Sequence, residues 1–357
     1  MGRNTEDAKT PISLPKGGGA VKGIGETFQP NLFSGTGNFS VPIFTSPGRG
    51  GFGPQLTLQY STGNGNGPFG LGWQLSIPRV TRKTEKGLPT YSDQEQDVFV
   101  MSGAEDLVPY LEQVAGEWQP VSTPHPIDPS ITISLYRPRT EGQFARIERW
   151  EGPGGDTHWR AITRSNVTSI YGRTAAARIS DPDTDPDDPQ HVFEWLLEET
   201  FDAKGNHIAY EYLQEDATMQ LPGIHEHNRS YTQTYIRRIL YGNSPDSLAA
   251  DHRVGPTRIG IDHTNPLATR ERHYLFEVLF DYSDPTDLVT IPDADELPAD
   301  WHVREDSFSS FRSGFEIRTL RRCRRVLMLH HFKEGELEGA PLVKSTDFEY
   351  TYAAHLN

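Results

Sequence analysis

Hydrophobic and polar residues alternate with period two along much of this 357-residue chain. Gln55–Tyr60 (QLTLQY) puts Leu56, Leu58 and Tyr60 on one face, and Leu71–Ile77 (LGWQLSI) does the same with Leu71, Trp73, Leu75 and Ile77. That period marks a strand with one buried face. The connection between the two runs, STGNGNGPFG, is rich in turn formers, so the pair reads as a long hairpin. Further strands are predicted over Phe39–Phe44, Asp97–Met101, Ile131–Tyr136, Phe144–Trp150, Val192–Glu198, His207–Leu213, Tyr235–Tyr241, Arg258–Asp262, Tyr274–Tyr282, Phe315–Leu320, Arg325–Phe332 and Phe348–Tyr352. No stretch keeps a helical period over three turns, and 27 dispersed prolines would break most helices. Short helical turns are expected near Pro245–His252 and Ala294–Trp301. The expected fold is all-β, a large antiparallel sheet or sandwich with few short helices.

Composition narrows the class. Hydrophobic residues at 35% and charged residues at 23% suit a folded globular chain rather than a disordered one. No apolar run approaches the roughly 18 residues needed to span a bilayer, so no membrane insertion by this segment is expected. Met1–Thr10 is polar and lacks the apolar core of a signal peptide, which leaves export to a specialised, non-classical route after a cytoplasmic stage. The net charge of −15 argues against a nucleic-acid partner. Residues 1–92 hold nine Lys/Arg and four Asp/Glu, so they carry +5 and the remainder −20, and they contain 18 of the 33 glycines. Residues 1–15 read as a flexible tail and 16–357 as one domain with a glycine-rich opening segment, 16–92. That opening is expected to lie extended against other parts of the domain or its shell partners and not to fold as a separate unit. The stop at Tyr350–Asn357, just after a predicted strand, is what a domain with a downstream continuation would show.

Several blocks are distinctive: Ser13–Gly25 (SLPKGGGAVKGIG), Gly35–Pro42 (GTGNFSVP), Thr45–Tyr60 (TSPGRGGFGPQLTLQY), Gly63–Pro78 (GNGNGPFGLGWQLSIP), Arg82–Pro89 (RKTEKGLP) and Ser102–Leu111 (SGAEDLVPYL). Together they resemble the Salmonella virulence-plasmid B protein (SpvB) family, whose domain also opens the B component of the tripartite insecticidal Tc toxins. The likeness continues more weakly through Trp195–Tyr212, Tyr235–Asn243 and Ser345–Tyr350. The resemblance implies a non-enzymatic structural module, the start of a β shell that encloses a toxic fragment. Its implied partners are an RHS-repeat continuation, the C component and, indirectly, the pore-forming A component. Thr200–Tyr212, with Gly205-Asn206 at a turn, also looks like one RHS hairpin unit. The alternative is a β-sandwich module that binds a glycan or a receptor.

Several residue patterns imitate chemical sites without completing one. Gly65–Gly70 formally contains G-x-G-x-x-G, but a strand-like run follows where a dinucleotide site needs a helix, so a hairpin turn is expected. Gly17–Gly19, Gly23 and Gly25 lack a preceding strand and a Walker lysine pattern. Glu336 and Glu338 form an E-x-E pair like that of ADP-ribosyltransferases, yet Gly335 and Gly339 flank it as in a surface turn. Asp181, Asp183 and Asp185 imitate the start of a calcium loop, but Pro186 and Val192 stand where glycine and glutamate are required. His225 and His227 lack a third ligand, and His330 and His331 should face opposite ways. The one cysteine, Cys323, sits among Arg321, Arg322, Arg324 and Arg325, which could lower its pKa; an unreactive thiol near a strand is the simpler reading. Trp73, Trp118, Trp150, Trp159, Trp195 and Trp301 could include a sugar-stacking platform, although core packing suits most of them. No catalytic, cofactor-binding or metal-binding residue, and no cofactor, is assigned.

Overall fold

Strands form over the alternating runs, and turn residues decide where each one stops. The computed structural model describes residues 27–31, 36–92, 97–102, 106–140, 144–183, 191–215, 226, 229–243, 274–283, 291–292, 303–332 and 341–351. The first sheet is β1 (Thr27–Asn31), β2 (Thr36–Pro42), β3 (Thr57–Ser61) and β4 (Trp73–Leu75), each antiparallel to the next. Leu56 and Leu58 are buried as their alternation requires. β4 is shorter than the predicted Leu71–Ile77 run, and Leu71 is 71% exposed. Gly70 (φ +96°) and Gly72 (φ +83°) keep the chain in a turn up to Trp73, and a Cβ at Gly72 would collide with the Tyr60 ring.

The second sheet has fifteen strands. Its first part is β5 (Arg79–Arg82), β6 (Phe99–Met101) and β7 (Asp106–Pro109). A separate two-stranded ribbon, β8 (Leu111–Val114) and β9 (Glu117–Pro120), then projects before β10 (Ser122–Pro124) rejoins. β11 (Thr132–Pro138), β12 (Arg146–Glu151), β13 (Thr157–Ile162), β14 (Val167–Tyr171), β15 (Arg178–Ser180) and β16 (Val192–Asp202) follow. β16 pairs with β5 through residues 194–196 and with β14 through residues 197–202. That double pairing closes β5, β6, β7, β11, β12, β13, β14 and β16 into a barrel-like ring. An eight-stranded ring is just wide enough for side chains to fill. Here they are aromatic: Trp159 lies 4.9 Å from Phe99, 4.9 Å from Tyr136 and 6.1 Å from Trp195, centroid to centroid, with edge-on geometry.

Beyond β16 the sheet opens into a wing of β17 (His207–Gln214), β18 (Thr234–Asn243), β19 (Tyr274–Asp281), β22 (Arg325–His330) and β23 (Leu342–Asp347). β20 (Phe308–Ser310) and β21 (Ile317–Thr319) form a small pair of their own. The β16–β17 turn is built by Asp202, whose carboxylate accepts the backbone N–H of Lys204 and of Asn206, with Gly205 at φ +83°. One face of the wing, including Ile208, Ile239, Tyr241, Val278, Phe280 and Met328, shares a continuous core with Leu56, Leu58 and Phe69 of the first sheet region. The first sheet and the wing thus make a sandwich beside the ring.

Several predicted strands end elsewhere or do not form. Phe44 lies past the end of β2 and is 42% exposed, and Phe144 lies before β12 at φ +50° and is 60% exposed. Residues 348–351 are not a strand; β23 precedes them, and they form an irregular strap. Residues 1–15, the predicted strand Arg258–Asp262 and both predicted helical turns lie outside the described residues. Trp159→Ala should lower unfolding free energy by about 3–5 kcal/mol in urea titration, because it empties the middle of the ring.

Candidate functional site

The open end of the wing is where the fold offers most to a partner. β23 pairs with β22 on one side and takes no partner on the other among the described residues. Leu342 and Val343 are 39% and 44% exposed there. An unpaired strand edge presents N–H and C=O groups to any chain that can add a strand.

The strap after β23 ties this end to the glycine-rich segment. The Phe348 N–H donates to the Arg324 carbonyl at 2.8 Å, and the Tyr350 hydroxyl donates to the Cys323 carbonyl at 2.7 Å. Phe348 meets Phe69 edge-on at 6.2 Å, and the Arg322 guanidinium lies 4.1 Å above the Tyr350 ring. From the other side the Cys323 N–H donates to the Pro68 carbonyl, and Arg304 reaches the Gly67 carbonyl and the Asn66 side chain. Further along, the Tyr241 hydroxyl donates to the Ser46 carbonyl at 2.7 Å. The loops of the glycine-rich segment are therefore held to the wing by named hydrogen bonds as well as by apolar packing.

Buried charge braces the same region. Arg321 and Glu215, both fully buried, form a bidentate pair, with Nη2 and Oε1 2.6 Å apart. Arg325 donates to Asp281 at 2.6 Å, and Arg173 to Glu199 at 2.7 Å. Buried charges survive only when paired and hydrogen-bonded in this way. The arginines beside Cys323 are thus committed to other partners: Arg321 to Glu215, Arg325 to Asp281, and Arg322 to Tyr350 and, at 3.8 Å, to Asp306. The expectation that they could lower the thiol pKa fails. Burial, reinforced by the Asp281 charge, pushes the Cys323 thiol well above its usual range.

The other candidates resolve as follows. Gly65–Gly70 lies in the β3–β4 connection with no helix after it, a hairpin turn and not a phosphate cradle. Asp181 accepts the Asp183 N–H and lies 3.8 Å from His191, while Asp185 falls outside the described residues. Glu226 pairs with Arg318 at 3.1 Å; His225 and His227 are outside the described residues. His330, the last residue of β22, contacts the Ser46 hydroxyl at 2.7 Å, and His331, just past the strand, contacts Glu277 at 2.6 Å. Trp150, Trp159 and Trp195 are buried, Trp73 is half-buried against the core, and Trp118 is 67% exposed. Gly17–Gly19, Gly23, Gly25, Glu336, Glu338 and Trp301 lie outside the described residues. Among the described residues, no three His, Cys, Asp or Glu side chains converge as metal ligands. Sequence reasoning missed the Arg321–Glu215 pair, whose partners are 106 residues apart, and the β8–β9 ribbon, whose Leu111–Val114 run is too short to stand out.

The fold is that of an all-β structural module built on antiparallel sheets. The chain belongs to the Salmonella virulence plasmid 65kDa B protein (SpvB) family, whose model matches residues 31–332. It is 35% identical over 350 residues to mono(ADP-ribosyl)transferase SpvB of Salmonella typhimurium, covering 96% of this chain and 54% of that protein. The chain thus spans about half the length of the curated relatives it matches. Its structure is similar to the N-terminal domain of effector protein SpvB from Salmonella typhimurium strain LT2, with TM-score 0.69, 32% identity, and coverage of 87% of this chain and 100% of that one. It is also similar to TcdB2-TccC3, with TM-score 0.73, 31% identity, and coverage of 97% of this chain but 16% of that one. A further match is the Photorhabdus luminescens Tc holotoxin pore, with TM-score 0.72, 32% identity, and coverage of 98% and 16%.

Two measurements test the braces. Glu215→Ala should cost about 3–5 kcal/mol, because it strands a buried guanidinium, while Glu215→Leu combined with Arg321→Met should recover most of that loss. Hydrogen bonds from Arg304 hold the Asp306 carboxyl down at about 2, below its ordinary 3.8. A depressed carboxyl stabilises the fold above its unfolded value and loses that contribution as pH falls through its folded value. Stability should therefore decline from about pH 4 towards pH 2, and Asp306→Asn should flatten part of that slope in acid titrations monitored by tryptophan fluorescence.

Proposed function

We propose that this chain is a non-enzymatic structural module of a bacterial toxin complex. In this reading it starts the β shell that encloses a toxic fragment and supports docking to the pore-forming component. The observation that carries it is the edge of β23 at the end of the wing, which takes no partner among the described residues. Support comes from the similarity to TcdB2-TccC3, which runs over 97% of this chain. Residues 16–357 act as one domain, preceded by a tail over 1–15, and the edge of β23 receives the RHS-bearing continuation. The C component completes the enclosure, and the pore-forming component is reached through those parts. The module leaves the bacterium by a non-classical route after a cytoplasmic stage. The transferase activity in the relatives' name belongs, on this reading, to the part of those proteins that this chain does not match.

The purified chain should associate weakly with itself or bind its RHS-bearing continuation supplied in trans, as read by sedimentation and pull-down. A strictly monomeric chain at high concentration that ignores the continuation would contradict the proposal and favour an autonomous binding module. With labelled NAD and actin or a mixed acceptor pool, no label should transfer; transfer abolished by Glu338→Ala would overturn the non-enzymatic reading.

A further inference from the structure

Of the five tryptophans among the described residues, four are drawn into packing and one is presented to solvent. Trp118 is 67% exposed on β9 of the projecting ribbon, and every residue of β8 and β9 is exposed on both faces. The ribbon is nonetheless held in a defined direction. At its root the Val121 N–H donates to the Tyr110 carbonyl, the Tyr110 N–H to the Leu135 carbonyl, and the Leu135 N–H to the Val121 carbonyl, at 2.8–3.0 Å. The Arg137 guanidinium lies 5.1 Å from the centre of the Tyr110 ring. At its tip Ala115 (φ +53°) and Gly116 (φ +94°) form the left-handed turn that matches strand twist.

The register sorts the ribbon into two faces. Gln113 stands opposite Trp118 and Leu111 opposite Pro120, so these four share one face, and it carries no charge. Glu112 and Glu117 lie on the other face with Val114. Gln113 Nε2 donates to the Gly116 carbonyl at 3.3 Å, which steadies the amide and leaves it an acceptor and a second donor. A planar indole beside a steadied amide, on an uncharged face, is suited to a pyranose. The sugar's C–H-rich face would lie on the ring, and adjacent hydroxyls would pair with the amide.

Charge selects among partners. The two glutamates and the net charge of −15 oppose sulfated or sialylated glycans, anionic lipid surfaces and a second copy of the same ribbon. We propose that the β8–β9 ribbon is a binding platform for neutral glycans, with the Trp118 ring as the stacking surface and the Gln113 amide as the hydroxyl partner. This site is independent of the shell role, and its failure would leave that role standing.

The test uses the full chain against neutral oligosaccharides of glucose, galactose and N-acetylglucosamine, with sialylated and sulfated counterparts. Binding is read by saturation-transfer NMR and then by tryptophan fluorescence titration. At least one neutral series should bind at millimolar concentrations. Trp118→Ala should weaken that binding roughly tenfold or more, as loss of a stacking platform does, and Gln113→Ala should weaken it less. Because both side chains are exposed, neither substitution should move the urea midpoint, so any loss is not unfolding. The proposal is overturned if no neutral series binds, if Trp118→Ala binds as well as the original chain, or if the anionic glycans bind better.

Discussion

One strand with too many neighbours organises this protein. Val192–Asp202 is flanked by β5 and β15 through its N-terminal half and by β14 and β17 through its C-terminal half. A strand crowded in this way is buried on both faces, and its first eight residues, VFEWLLEE, are all buried except Glu194. Its two central carboxylates therefore need partners: Glu199 takes Arg173, and Glu198 accepts the Thr174 N–H. Gly172, between these partners and β14, sits at φ +61° against the Trp195 ring, where a Cβ would collide. Ring closure, aromatic filling and the departure of the wing all depend on this strand.

The wing inherits a different problem. Its strands carry apolar residues on the face towards the first sheet and bury Glu277, Asp281 and Arg325 as well as Leu279, Leu327 and Leu329. Apolar packing alone would not fix how the glycine-rich segment sits, since its loops have few large side chains. Position is supplied by directed contacts: Tyr241 to Ser46, Cys323 to Pro68 and Arg304 to Gly67. Buried ion pairs give little net stability against apolar substitutes but penalise any arrangement that separates them. That combination keeps β22 and β23 in a defined place at the end of the sheet.

The legible part of this architecture was the part set by local alternation. Gln55–Tyr60 buries Leu56 and Leu58 as expected, and Tyr274–Tyr282 contains a strand, because a period of two is a property of neighbours. Leu71 was misplaced because two positive-φ glycines override the alternation around it. The ring was not legible: β5, β6 and β7 are three or four residues long, too short to carry a period, and closure depends on non-local pairing with β16. Nor could the sequence separate Trp118 from Trp159. Both sit in short strands with polar neighbours, and only the ring around one and the solvent around the other distinguish them. Arg321, two residues from Cys323, could have lowered the thiol pKa, whereas the fold sends that guanidinium to Glu215.

On the proposed reading, the module joins its continuation at the edge of β23 that takes no partner among the described residues. Hydrogen–deuterium exchange of residues 342–347, alone and with the RHS-bearing continuation present, tests it most directly. The amides of β23 that point away from β22 should exchange readily in the isolated chain and become protected on assembly, while those paired with β22 and those inside the ring around Trp159 and Trp195 change little. Unchanged exchange at β23 in a complex that forms through some other surface would contradict it.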